Sequence, residues 1–175
     1  GMGEKYYSGG GDYALDNSNS KTYSYGLELN ADWELSDSYM FKFGYTMTES
    51  YDGTTCDNPD STGGQGSSAC NDEMNVRVPR DQVNFSGTKI FNEFLSQTLK
   101  LKYVGERRDY GNTNQGFEDV ILSKYLTADL VTNIDLYNNY GLNISASNIF
   151  DKRYSEAYEY KAPGRSINFM LNKKY

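Results

Sequence analysis

The sequence predicts an all-β chain: an antiparallel up-and-down meander of about seven strands, forming a segment of a large transmembrane β-barrel. Three observations carry this. Apolar and polar residues alternate over runs longer than the roughly five or six residues of an average strand. The connections between runs are short and long in strict turn. The composition, with 17 Tyr, 17 Gly and 37% hydrophobic residues, suits strands with one wet face better than helices. No stretch approaches the roughly 18 apolar residues a membrane helix needs, whereas a membrane barrel is read from alternation.

Residues 1–21 read as a loop and the remnant of a preceding strand, and 22–175 as the barrel segment. Gly9 to Ser20 is Gly, Asp, Asn and Ser chemistry, typical of loops. The first strand sets Tyr23, Tyr25, Leu27, Leu29, Ala31, Trp33 and Leu35 against Ser24, Gly26, Glu28, Asn30, Asp32 and Glu34. Ser36-Asp37-Ser38 turns the chain, and Tyr39, Phe41, Phe43, Tyr45, Met47 and Tyr51 resume the pattern. Trp33, Leu35 and Tyr39 meet at that turn, where an interfacial aromatic girdle would lie. A long polar insertion runs from Asp52 to about Arg77.

After Pro79, Val83, Phe85 and Gly87 alternate with Gln82, Asn84, Ser86 and Thr88, and Phe91 to Phe94 is a second short turn. The fourth strand carries Leu95, Leu99, Leu101 and Tyr103 on its apolar row, with Gln97 as the odd member. Gly105 to about Ser123 is polar and Gly-rich and reads as a long loop. The fifth strand places Leu126, Ala128, Leu130, Ile134 and Leu136 against Thr127, Asp129, Asn133 and Asp135. Tyr137 to Tyr140 is the third short turn. Leu142, Ile144 and Ala146 mark the sixth strand, Ser155 to Lys161 is a third longer loop, and the last strand follows.

Outer-membrane barrels have short turns on the periplasmic side and long loops outside, a division that soluble up-and-down barrels do not need. The last strand ends on the short-turn side. Glu28, Asp32, Lys42, Lys100, Lys102, Asp129 and Asp135 recur on the polar face, and such charges cannot line a small dry core unpartnered. They fit a wide wet or plugged lumen.

At the C-terminus a box Asn148-Ile149-Phe150-Asp151-Lys152-Arg153-Tyr154 precedes Ala162-Pro163-Gly164-Arg165. Ile167, Phe169, Leu171 and the final Tyr175 then alternate along a strand. Box, spacing and aromatic ending together resemble the end of a TonB-dependent outer-membrane receptor, a family that usually ends on Phe. The resemblance implies about the last third of a barrel, in the outer membrane of a Gram-negative bacterium, without plug or TonB-contacting segment. It also implies TonB-energised uptake of a scarce ligand of the ferric siderophore or cobalamin class. The partners it implies are outer-membrane lipid, a small imported ligand, TonB through a plug, and the barrel-assembly machinery.

Within that resemblance Asn148, Phe150, Asp151, Tyr154, Pro163, Gly164 and Arg165 form an architectural barrel-end motif, since Asn and Asp satisfy backbone groups where a ladder ends. Ile167, Phe169, Leu171 and Tyr175 pack the wall and are similar to the terminal signal read by the assembly machinery. An export signal and more chain are expected upstream. An isolated segment with an exposed apolar wall and two unpaired edges is expected either to associate with other copies or to curl into a non-native sheet.

Cys56 and Cys70, in one loop of an exported chain, are expected to form a disulfide. The acids around them, Asp52, Asp57, Asp60, Asp72 and Glu73, lack the spacing of a known calcium loop and read as a solvated acidic loop. Arg107, Arg108 and Tyr110 are candidate loop contacts for an anionic ligand, against the plainer reading of solvated arginines. With no His and a net charge of −7, no catalytic, cofactor or metal residues are assigned, and a nucleic-acid partner is disfavoured. Two rivals stand: a small self-contained outer-membrane barrel whose eighth strand comes from Glu4–Tyr7, and a soluble lipocalin-type carrier.

Overall fold

The computed structural model describes residues 2–5, 14–17, 21–53, 73–113 and 116–173. Fourteen strands follow in order: β1 (Met2–Lys5), β2 (Ala14–Asn17), β3 (Lys21–Ser36), β4 (Tyr39–Gly53), β5 (Glu73–Met74), β6 (Asp81–Asn92), β7 (Leu95–Val104), β8 (Arg107–Thr113), β9 (Gly116–Leu122), β10 (Tyr125–Asp135), β11 (Tyr140–Ser147), β12 (Ser155–Ala157), β13 (Tyr160–Lys161) and β14 (Ser166–Lys173). The seven long ones form one antiparallel sheet in the order β14-β11-β10-β7-β6-β4-β3, so spatial order follows chain order as the alternation predicts. The two ends of that path, β14 and β3, have no further partner among the described residues.

The chain divides into two compact units, Gly1–Tyr25 with Glu49–Asn75, and Gly26–Thr48 with Val76–Tyr175. In the smaller unit β1 pairs with β2, β5 pairs with β4, and the Tyr51 ring stacks on those of Tyr23 and Tyr25 at 5.4 and 6.4 Å. The larger unit holds the body of the sheet.

Register shows the two faces directly. One lateral row joins Phe43, Phe85, Leu101 and Ala128, and the next joins Phe41, Gly87, Leu99, Leu130, Ala146 and Ile167. The opposite face aligns Lys42, Ser86, Lys100 and Asp129, beside Gly44, Asn84, Lys102 and Thr127. A slip of one residue would exchange the faces, so the pattern fixes the register. Gly26 is required by the backbone, because an added Cβ would run into the Met47 carbonyl.

The apolar rows do not converge on a core. Among the described residues only Val104, Leu122, Tyr125 and Ala128 are buried hydrophobics. Leu27, Leu29, Trp33, Leu99, Leu126, Phe169 and Leu171 are all exposed, Phe169 to 70%. The open strand path and the unburied wall remove the lipocalin reading. Of the small-barrel rival's eighth strand, Glu4–Tyr7, the described residues Glu4 and Lys5 pair with Leu15 and Ala14 in a separate two-stranded sheet, and Tyr6 and Tyr7 lie outside the described residues.

Four sequence readings need correction. Gly9 to Ser20 is not all loop, because β2 lies within it. The second short turn is Glu93–Phe94 alone; β6 runs on to Asn92 through a bulge, and the Asn92 side chain accepts the Phe94 N–H at 2.9 Å. Gly105 to Ser123 holds the β8–β9 hairpin, and Ser155 to Lys161 the β12–β13 hairpin. Neither pairing shows a clean apolar alternation, so period-two reading passes over both. At the third turn Asn138 and Asn139 both adopt left-handed φ, near 62° and 61°, which Asn tolerates better than most residues.

Candidate functional site

Two regions of the larger unit gather polar side chains. The first is the charged face of the sheet, where a concavity of about 470 Å³ is lined by Asp32, Lys42, Asn84, Lys100, Lys102 and Asp129 among others. Strand alternation places all of them on the face opposite Leu99 and Leu101. Lys42 and Asp32 approach to 3.4 Å with both side chains about 70% exposed, a pair water screens strongly. Farther along this face hydroxyls and amides bond across strands: Thr88 with Thr98 at 2.8 Å, and Asn143 to Asn133 at 2.6 Å. A wall of this kind prefers water or polar protein over lipid.

The apolar face has its own polar exceptions. Gln97 donates to the Thr132 hydroxyl at 3.2 Å, so the odd member of that row is paired along the sheet. Its neighbour in register, Lys89, sits over the rings of Tyr39 and Phe91 at 5.3 and 4.6 Å, a posture suited to a membrane interface.

The second region is the loop end. Asn148, with φ near 49°, is buried at the end of β11. Its amide donates to the carbonyls of Lys152 (3.0 Å) and Pro163 (3.3 Å), its side-chain oxygen accepts the Lys152 N–H (2.9 Å), and its backbone N–H donates to Asp129 (2.7 Å). Asp151 accepts the Arg165 N–H at 2.9 Å, and an added Cβ on Gly164 would stand 2.7 Å from that carboxylate oxygen. Tyr154 stacks on Tyr125 with centroids 4.0 Å apart. Phe150 is 68% exposed, and Ile167, Phe169 and Leu171 are exposed on β14. Tyr175, Cys56 and Cys70 lie outside the described residues, as do Asp57, Asp60 and Asp72.

The candidate ligand contacts separate. Arg107 is buried: it donates to the Ser155 carbonyl at 2.5 Å and lies over the Tyr125 ring at 5.5 Å, while its Nη1 has no partner. It is therefore not a solvated arginine. Arg108 binds Asp119 at 2.7 Å and lies over Tyr110, and only Tyr110 of the three is exposed.

Asp109 is the residue that sequence reading missed. Fully buried, it accepts Arg77 Nε (2.9 Å), its neighbour Tyr110 N–H (2.9 Å) and Tyr158 N–H (2.6 Å). Burial alone would raise its pKa; the three donors outweigh that and hold the carboxyl below its usual range. One carboxylate thus ties β8 to the segment before β6 and to the β12–β13 turn. No local signal marks it, because the two partners that tie it to other elements, Arg77 and Tyr158, stand 32 and 49 residues away.

An open seven-strand sheet with an unburied apolar wall, a charged opposite face and a hydrogen-bonded strand-end box describes a piece of a large barrel. Solved structures bear the same architecture. The chain superposes on the pyoverdine outer membrane receptor FpvA of Pseudomonas aeruginosa PAO1 with a TM-score of 0.72 at 18% identity, over 99% of this chain and 25% of that one. The chain has the barrel fold of the TonB-dependent outer-membrane receptors. The siderophore receptor PiuA of Acinetobacter baumannii matches with a TM-score of 0.65 at 20% identity, over 92% of this chain and 23% of that one. Among curated proteins, the metal-pseudopaline receptor CntO of Pseudomonas aeruginosa (strain UCBPP-PA14) is 31% identical over 104 residues, which covers 55% of this chain and 14% of the relative. No family profile matches the chain. It thus spans about a seventh of the curated relative it matches.

Proposed function

We propose that this chain is part of the barrel wall of a TonB-dependent outer-membrane receptor that imports a metal chelate of the siderophore class, without chemistry on the ligand. The observation that carries the reading is the inversion of ordinary burial, with large apolar side chains outward and Lys42, Lys100, Lys102 and Asp129 on the concave face. The relatives named above for pyoverdine, siderophores and metal-pseudopaline support a metal chelate over cobalamin.

In this reading the box from Asn148 to Arg165 closes the outer end of the last hairpin, and Ile167, Phe169, Leu171 and Tyr175 serve wall packing and barrel assembly. TonB acts through a plug elsewhere in the receptor, and Cys56 and Cys70 form a disulfide. The test is uptake of radiolabelled metal by the source bacterium with and without the full-length gene, across hydroxamate, catecholate and carboxylate chelates. Energy-dependent uptake of one class is expected to disappear in the deletion strain. Unchanged uptake of every class would overturn the assignment.

A further inference from the structure

On the apolar face of the sheet one lateral row is polar. Tyr39, Lys89, Gln97 and Thr132 follow one another in register across β4, β6, β7 and β10. Apolar rows flank it on both sides: Gly87, Leu99 and Leu130 two residues toward the loop end, Leu95 and Ile134 two residues toward the turn end. The polar row therefore lies inside the wall, about 7 Å from its apolar neighbours, and not at the rim. Hydrogen-bonding groups held against hydrocarbon are costly unless something pairs them.

The row offers donors in excess. Gln97 gives one amide N–H to the Thr132 hydroxyl at 3.2 Å, which leaves its second N–H and the Thr132 O–H without an acceptor among the described residues. The Lys89 ammonium and the Tyr39 O–H have no hydrogen bond or ion pair there either, and the acids of the two adjoining turns, Asp37 and Glu93, make no ion pair with Lys89. These donors stand at two depths. The ammonium leans turnward, 4.6 Å from the Phe91 ring centroid against 5.3 Å from that of Tyr39, as a lysine does when it snorkels toward water. Gln97 and Thr132 bond to each other at the level of the row itself.

That arrangement selects the ligand. It must bring an anion near the rim, neutral acceptors deeper, and hydrocarbon beyond them along the wall. A glycerophospholipid carries these in that order: phosphate, ester carbonyls, acyl chains. We propose that the row binds a glycerophospholipid of the turn-end leaflet, with the phosphate at Lys89 and Tyr39, the ester carbonyls at Gln97 and Thr132, and the acyl chains along Leu99 and Leu130. This rests on the reading that the apolar face meets lipid.

The test is a calorimetric titration of the full-length receptor, purified from the outer membrane of the source bacterium in dodecyl maltoside, with dihexanoyl phosphatidylglycerol. Its ether-linked analogue, which lacks the ester carbonyls, and inorganic phosphate are the comparison ligands. The ester lipid is expected to bind about fivefold more tightly than the ether and at least about tenfold more tightly than phosphate. Lys89→Met is expected to weaken the ester lipid about fivefold. Gln97→Leu with Thr132→Val is expected to bind ester and ether alike. Lys173→Met, which removes a cation of the same wall outside the row, is expected to change binding less than about twofold. Heat-modifiable mobility establishes that each variant is a folded barrel. Unchanged binding in Lys89→Met, an equal loss in Lys173→Met, or no difference between ester and ether in the parent receptor would overturn the proposal. Phosphate binding as tightly as the lipid would assign the row to a free anion, and a lipid-free dimer that Lys89→Met dissociates would assign it to a contact between copies; either overturns it. Metal uptake is not read in any arm, so a failure here is separable from a failure of the receptor reading.

Discussion

The two ends of the sheet solve different problems. At the turn end the connections are a few residues long, and Trp33, Leu35, Phe94 and Tyr137 stand 54–88% exposed with nothing packed over them. At the loop end lie all the buried side chains of the larger unit among the described residues: Val104, Arg107, Asp109, Leu122, Tyr125, Thr127, Ala128 and Asn148. Half of these are polar or charged. On the proposed reading lipid does the work of a core along the strands, and the ladder satisfies the backbone. At the loop end the chain supplies its own packing, and it does so largely by burying polar groups with hydrogen-bond partners, as at Asp109 and Asn148.

That contrast breaks most sharply with charge placed on the wall. Leu99→Arg, midway along β7 on the apolar face, is expected to destabilise the lipid-reconstituted chain by about 2–4 kcal/mol, whereas Thr98→Arg on the charged face should cost little. Urea unfolding in vesicles followed by Trp33 fluorescence reads both. Equal losses would mean the faces are not distinct.

At the loop end, Asp109→Ala removes the acceptor for three donors and is expected to cost about 2–3 kcal/mol. The loss should show as faster amide exchange in β8, β9 and the β12–β13 hairpin while β6, β7 and β10 keep their protection. The sign with pH follows from the depressed pKa: the contribution is present above the unfolded value near about 3.9 and is lost as pH falls through the lower folded value. Loop protection should therefore persist to about pH 4 and fail only in stronger acid. A loss near neutrality would contradict the assignment.

Asn148→Ala should cost about 2 kcal/mol, confined to exchange of the 148–165 segment, since it deletes three side-chain hydrogen bonds and an Asn that tolerates positive φ. Reducing a Cys56–Cys70 bridge is expected to remove up to about 3 kcal/mol of local ordering and leave barrel unfolding unchanged. Alkylation mass spectrometry with and without reductant would show whether the bridge exists.

The same contrast explains what could be read from the residues alone. The seven strands were legible because an apolar face and a charged face write a period of two into Leu99-Lys100-Leu101-Lys102 and its partners. The strand-end box was legible as a pattern of Asn, Asp, Pro and Gly. The hairpins β8–β9 and β12–β13 were not: what orders them is Asp109 meeting Arg77 and Tyr158, and contacts between distant polar residues leave no periodic trace. Arg107 shows the limit plainly, since a guanidinium in a Gly-rich stretch reads as solvated and is in fact buried against Tyr125.

The most direct test is a nitroxide scan of residues 98–102 in the chain reconstituted into phosphatidylcholine vesicles, with Cys56 and Cys70 replaced by Ser. Collision with oxygen, which concentrates in lipid, should peak at 99 and 101, and collision with a water-soluble nickel chelate at 98, 100 and 102. A flat profile, or one with the two quenchers in phase, would contradict a wall between lipid and water.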